Sequence, residues 1–318
     1  MPSSPPSHSR AALQALFVTF LWSTSWVLIK QGLEDIPALT FAGLRYVLAF
    51  LLLAPLAARP AHRDSLRALS RRDWLRLAAL GLVYYTVTMG TQYLGLERLP
   101  AVTASLLLSF SPIMVALLGI AFLAEPLTRQ QWGGIGLYLA GALVYFYPAT
   151  IPTDQVVGLI IVFVGVIANA LSAAMGRGIN RVGTITPLVV TVVSMGIGGL
   201  VLLAAGIASQ GLPALDARSW AIILWLAVVN TAFAFTLWNH TQRTLSAVES
   251  SVINNTMLIQ IAVLAWIFLD EGLDGREIAG LAVAAIGTLI VQVRRARTPA
   301  ESPALVPTAP RRPSHGGR

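Results

Sequence analysis

The chain has 318 residues, 56% hydrophobic and only 11% charged, with 22 Lys and Arg against 14 Asp and Glu and a mean hydropathy of +0.72. So little polar surface excludes a soluble globule, and the absence of cysteine excludes disulfides and thiolate metal sites. The fold class this dictates is an all-α polytopic membrane protein with the lipid bilayer as its solvent.

A membrane span needs roughly 20 apolar residues, and the apolar runs read as ten transmembrane helices: 12–32, 38–57, 74–96, 100–123, 130–148, 156–175, 185–206, 219–240, 248–269 and 276–293. They divide into an N-terminal tail (1–11), a first five-helix unit (12–148), a linker (149–155), a second five-helix unit (156–293) and a Pro-, Ser- and Arg-rich tail (294–318) that reads as disordered. With the N-terminus inside, 17 arginines fall in inside loops and tails, and the outside keeps Lys30, Arg98, Arg218 and Arg276. The net charge of +8 is therefore a topology signal and not a nucleic-acid footprint. Both termini are expected to be cytoplasmic in a multi-pass cytoplasmic (inner) membrane protein. Five spans per half then give the halves opposite orientations, an inverted repeat of the kind secondary transporters use.

In the first span Trp22, Ser23, Thr24, Ser25 and Trp26 set small hydroxyls between two indoles. Such hydroxyls bond back to their helix or line a cavity, and Trp22 and Ser25 are cavity candidates. Pro37 opens the second helix, where a missing N–H costs nothing. Arg45 is the one cation well inside a span, ~10 Å from its start at 1.5 Å per residue. It either serves an anchoring or packing role, snorkelling to the headgroups, or grips a substrate carboxylate or phosphate, a possible anion contact. The loop from Arg59 to Arg76 is the most basic stretch and carries an amphipathic segment for the inner leaflet. Tyr84 and Tyr85 sit at mid-depth of the third span, which makes Tyr85 a further cavity candidate.

Residues 99–143 are written a second time at 245–289 without a gap, with Ser105/Ser251, Glu125/Glu271, Gly134/Gly280 and Gly141/Gly287 among the identities. Polar and Gly matches at one offset mark an internal repeat. Each copy is a helical hairpin whose second helix restarts at a capping-box pattern, Thr128-x-x-Gln131 and Asp274-x-x-Glu277. Glu125 and Glu271 are read as structural turn residues, with gating or binding as the alternative. Ser105, Ser109 and Pro112 share one face of the fourth helix, and Ser251 and Asn255 occupy the matching face of the ninth. These faces either converge on a central pathway or hydrogen-bond between helices as glue. The Gly-rich fifth and tenth helices read as peripheral supports or as the face of a homodimer. In the second half Asn169 and Asn230 are the remaining cavity candidates. The four histidines lack metal-ligand spacing, so neither a metal nor a cofactor is expected.

The run Leu21 to Val27, Leu44-Arg45-Tyr46, the stretch Leu99 to Ser105, Pro112, and the turn Leu123 to Thr128 with Gly134 and Gly141 after it resemble the EamA-type branch of the drug/metabolite transporter superfamily. The likeness spans about 12–293. It implies a central cavity lined by both halves, with helices five and ten at the periphery, and export or permeation of small metabolites such as amino acids. Ser23 and Ser25 stand where the family's first-span motif usually has Gly and Asn. The expected function is a secondary transporter of a small-molecule substrate working by alternating access. The alternatives are an intramembrane enzyme on lipid-linked substrates, for which the interior offers no catalytic set, and a membrane scaffold or sensor.

Overall fold

A backbone that crosses lipid must satisfy its own hydrogen bonds, and the chain does so with helices. The computed structural model describes residues 8–123, 127–147, 153–182, 185–241, 244–245 and 247–295, and among these no strand is present. Glu125 and the side chain of Ser251 lie outside the described residues. The first half comprises α1 (His8–Gly32), α2 (Ala38–Ala57), the short α3 (Pro60–Arg67), α4 (Arg71–Gly81), a π-helical turn (Leu82–Thr88), α5 (Met89–Arg98), α6 (Ala101–Leu108), α7 (Ser111–Leu123) and α8 (Arg129–Phe146). The second half comprises α9 (Thr153–Val182), α10 (Pro187–Gln210), α11 (Ala217–Ala227), a second π-helical turn (Val228–Phe233), α12 (Ala234–Thr241), α13 (Ala247–Leu269) and α14 (Gly275–Arg295). Eight helical stretches are long and apolar enough to cross a membrane. The stretch 71–98 and α8 are not among them, because charges at their ends or polar and Gly residues dilute their hydropathy.

The repeat extends well beyond the duplicated hairpin. At the same offset of 146, α4 and α11 begin at Arg71 and Ala217, the π-turns at Leu82 and Val228, α6 and α13 at Ala101 and Ala247, and α8 and α14 at Arg129 and Gly275. The caps repeat as well. Ser70 Oγ accepts from the Asp73 N–H and Asp216 Oδ1 from the Ser219 N–H, so the same two positions cap with exchanged residue types. Both sequence-predicted capping boxes form, Thr128 with Gln131 and Asp274 with Glu277.

The fourth span is not one helix. Pro112 lacks the N–H that would bond to the Leu108 carbonyl, and its ring crowds that carbonyl, so α6 stops at Leu108 and α7 restarts at Ser111. The chain crosses the break on short turns, with the Phe110 N–H reaching back to the Leu107 carbonyl.

Equivalent helices of the two halves pack on each other. A Cβ on Gly43 would lie 2.4 Å from the Leu203 backbone and one on Gly206 2.5 Å from Thr40, so α2 and α10 touch backbone to backbone and run antiparallel. In α8 and α14 a Cβ on Gly141 would lie 2.4 Å from Ala284 and one on Gly287 2.5 Å from Tyr138. Gly134, Gly141, Gly280 and Gly287 are thus spent on the contact of α8 with α14 within the chain. α1 packs on α13 and α12, and its equivalent α9 packs on α6, α7 and α5.

Candidate functional site

The two π-turns bring the polar interior together. Each inserts an extra residue into a helix, marked by i to i+5 bonds from the Met89 N–H to the Tyr84 carbonyl and from the Ala234 N–H to the Val229 carbonyl. Hydroxyls reinforce both, Thr88 Oγ1 donating to the Val83 carbonyl and Thr231 Oγ1 to the Leu226 carbonyl. The displaced residues are Tyr84 and Tyr85 in the first turn and Asn230 and Thr231, at the same two positions, in the second.

Arg45 of α2 does not snorkel. It is 6% exposed, and its Nε donates to Thr231 Oγ1 at 3.0 Å while Nη1 donates to Tyr93 OH at 3.2 Å. Its guanidinium lies 5.2 Å from the ring centroid of Tyr46. Tyr46 packs on Tyr85 at 5.3 Å, Tyr85 on Tyr84 at 4.9 Å, and Tyr46 OH points at Met89 Sδ. Among the described residues no carboxylate pairs with Arg45, and it is the only buried Lys or Arg. A direction towards the headgroups, which depth alone allowed, is overruled by acceptors on α5 and on the second π-turn.

Asn230 is fully buried, and the two N–H groups of its Nδ2 are shared among Thr24 Oγ1 at 3.1 Å, Ser25 Oγ at 2.9 Å and the Leu21 carbonyl. Its Oδ1 is buried without a partner among the described residues. Ser25, Asn230 and Arg45 therefore share the interior where α1, α2 and the second π-turn meet, and Tyr85 of the first π-turn reaches it through the Tyr46 ring. Trp22 is on the neighbouring face of α1, against Phe235 at 5.4 Å and Trp238 at 5.2 Å, with a buried indole N–H that finds no partner among the described residues.

Other sequence-predicted positions go elsewhere. Ser105 and Ser109 donate to carbonyls of their own helix, Val102 and Leu106. Asn255 Nδ2 donates to Gln292 Oε1 at 3.1 Å, so it ties α13 to α14. Asn169 is half-buried on α9, where Ser172 Oγ donates to its backbone carbonyl. A seam absent from the sequence reading joins α1 to α13: Ser23 Oγ donates to Gln260 Oε1 at 2.9 Å, and Gln260 Nε2 reaches Thr19 and Thr256.

Glu271 does more than shape its own turn. Its carboxylate accepts from the N–H groups of Ala101 (2.8 Å) and Val102 (3.2 Å), capping α6 of the other half. At the same corner Lys30 Nζ donates to the carbonyls of Leu96 and Leu99, both at 2.7 Å, at the end of α5. An anion at a helix start and a cation at a helix end match the two dipoles. A cleft of about 550 Å³ opens beside this corner, lined by Lys30, Glu34, Glu97, Arg218 and the Trp266–Glu271 stretch. Among the described residues no group of His, Asp and Glu could hold a metal ion.

Two stretches, 9–147 and 149–293, each match the family described as EamA-like transporter family. The chain belongs to the EamA-like transporter family. It is a multi-pass membrane protein, and the halves that the family recognises are the two halves of the repeat. Among curated relatives, an uncharacterized transporter, YvbV, of Bacillus subtilis is 26% identical over 90% of this chain and 92% of its own length. A probable amino-acid metabolite efflux pump of Salmonella typhimurium is 26% identical over 87% and 92%. An S-adenosylmethionine/S-adenosylhomocysteine transporter of Chlamydia trachomatis is 34% identical over 40% and 38%. One crystal structure superposes with a TM-score of 0.65 at 17% identity, covering 92% of this chain and 100% of that one, which shows a shared fold. These names are those of transporters and not of enzymes. In this EamA-like chain the residues that the sequence did not mark as interior, Thr231, Tyr93 and Gln260, are all partners of a side chain from a distant helix.

Proposed function

We propose that the protein is a secondary carrier that moves small metabolites, amino acids or related compounds, across the cytoplasmic membrane by alternating access. In this reading ten helices form two inverted five-helix repeats, both termini are cytoplasmic, and the substrate meets Trp22, Ser25, Tyr85, Asn230 and Arg45 midway. Ser105, Ser109, Asn169, Ser251 and Asn255 flank that path as second-line positions. The observation that carries the reading is the meeting of Arg45 of α2 and Ser25 of α1 with Thr231 and Asn230 of the second π-turn, a polar interior assembled from both halves. The antiparallel packing of α2 on α10 and of α8 on α14 supports the inversion. Irregular backbone at membrane depth is tolerated where it lines a pathway.

The experiment is uptake and counterflow of a panel of labelled metabolites into liposomes holding the purified protein. The expected result is saturable exchange of at least one compound, lost in Asn230→Leu. Absence of exchange for a broad panel by folded protein would remove the carrier reading.

A further inference from the structure

Away from the polar interior, we infer that the elbow formed by α3 and α4 is a docking site for an anionic glycerophospholipid, whose phosphate its arginines hold. From Arg59 to Arg76 stand six arginines against two carboxylates, Asp64 and Asp73. All six arginines are exposed, and among the described residues none of them forms an ion pair. Asp73 is spent on its cap, where the N–H and hydroxyl of Ser70 both donate to its carboxylate. Arg63 and Arg67 lie one turn apart on one face of α3, with Arg59 at its cap. Arg71, Arg72 and Arg76 surround the first turns of α4, on the arc that the buried Leu77 and Leu80 leave free. Guanidinium forks match phosphate oxygens bidentately.

A loop that only sets topology needs charge and no fixed shape, whereas this elbow is held in place. Leu66 and Leu69 pack against the buried cluster of Leu77, Leu80, Val189 and Val193. The Ser65 hydroxyl accepts from the Thr186 N–H at 3.0 Å, which ties α3 to the start of α10. The arginines are thus presented on a preorganised frame, and preorganisation lowers the ordering cost of binding. Trp74 and Leu75 make the occupant a lipid. They are 45% and 64% exposed among Arg71, Arg72 and Arg76, and an indole and a leucine beside guanidinium groups fit the boundary of headgroups and acyl chains. The repeat supplies a contrast. At the offset of 146 Trp74 corresponds to Trp220, also exposed, but five of the six arginines correspond to Ala205, Ser209, Pro213, Ala217 and Ile222. Both halves keep the interfacial indole, and one alone carries the charge for a phosphate. On the sidedness proposed above that half faces the inner leaflet, where anionic lipids attract basic clusters.

The test titrates phosphatidylglycerol or phosphatidylcholine into micelles of the delipidated full-length protein and measures retained lipid by native mass spectrometry. Phosphatidylglycerol is expected to stay bound where phosphatidylcholine is lost. Arg63→Gln combined with Arg67→Gln should weaken it roughly 25-fold, from about five-fold per arginine. Arg63→Lys combined with Arg67→Lys keeps the charge, loses the forks and should fall in between. Arg10→Gln combined with Arg129→Gln removes the same charge from exposed positions elsewhere and should bind as wild type does. Equal retention of the two lipids, or an equal loss in the Arg10 and Arg129 variant, would reduce the effect to net charge and overturn the site. If the Gln pair does not give monodisperse protein, the Lys pair must still weaken phosphatidylglycerol, and a Lys pair at the wild-type level overturns the grip by forks. Displacement of the lipid by inorganic phosphate would assign the arginines to a soluble anion and overturn the lipid. None of these readouts depends on exchange, so loss of the carrier reading leaves the site standing.

Discussion

Replacing Glu271 with Ala is expected to loosen the corner between α5 and α6 without touching the polar interior. The carboxylate takes two backbone N–H groups, those of Ala101 and Val102, in a part-buried setting. An orphaned buried donor costs about 1–3 kcal/mol, and loss of a helix N-cap about 0.5–2 kcal/mol. The cleft beside Glu271 lets water recover part of that. The net loss should be about 2 kcal/mol for Glu271→Ala and about half of it for Glu271→Gln, which keeps a neutral acceptor. Lys30 holds the carbonyls on the other side of the same corner. Lys30→Met and Glu271→Ala should therefore be coupled, with an interaction energy of about 0.5–3 kcal/mol. The assay is reversible unfolding of the purified protein in mixed micelles, followed by far-UV circular dichroism, for the two single variants and the double. A loss under about 0.5 kcal/mol, the scale of an ordinary surface change, would show that Glu271 is no cap. Strict additivity would separate the two charges.

Gly198→Ala should destabilise by roughly 1–3 kcal/mol or more, because its Cβ would come 2.1 Å from the Gly81 carbonyl, and α4 and α10 must part; a melting temperature equal to wild type would contradict that contact. The Asp274 carboxyl is held below the usual carboxylate range, first by the Glu277 N–H and then by the Arg276 charge. A depressed carboxyl contributes stability above its unfolded pKa of about 3.9 and loses it as pH falls through the lower folded value. The melting temperature of Asp274→Asn should thus converge on that of wild type below about pH 4, and a constant gap through acid pH would deny the cap its charge. Reporter fusions at the C-terminus and in the 149–155 linker should report opposite sides of the membrane; the same side for both would remove the inverted repeat.

The hairpin was legible in the sequence because its polar and Gly positions recur, and those carry the caps and the helix contacts. The rest of the repeat was hidden by divergence: Tyr84 and Tyr85 stand where Asn230 and Thr231 stand, so letters gave no hint of a shared backbone. An extra residue in a π-turn also leaves no trace in a segment that is apolar all round. Ser105 and Ser109 each satisfy their hydroxyl on the preceding turn, so the polarity of their face alone does not separate a path from a helix contact. The depth of Arg45 was readable, but its direction depends on Tyr93 and Thr231, 48 and 186 residues away. Glu271 was legible as part of a turn, and its partner 170 residues away was not.

The joint of α8 with α14 has the arithmetic of a dimer. Gly134 meets Gly287 and Gly141 meets Gly280, and each residue's partner is the repeat counterpart of the other. That reciprocity is the signature of an isologous contact, the kind two copies of one subunit make across a two-fold axis. Here both partners of that contact are on one chain, so the two halves close on each other through this pair. Once both copies were on one chain, a change at a site position no longer had to occur twice. Arg45 of one half corresponds to Thr191 of the other, and Tyr84 to Asn230. The seam fixes the symmetry, and the interior is where the chain gave it up.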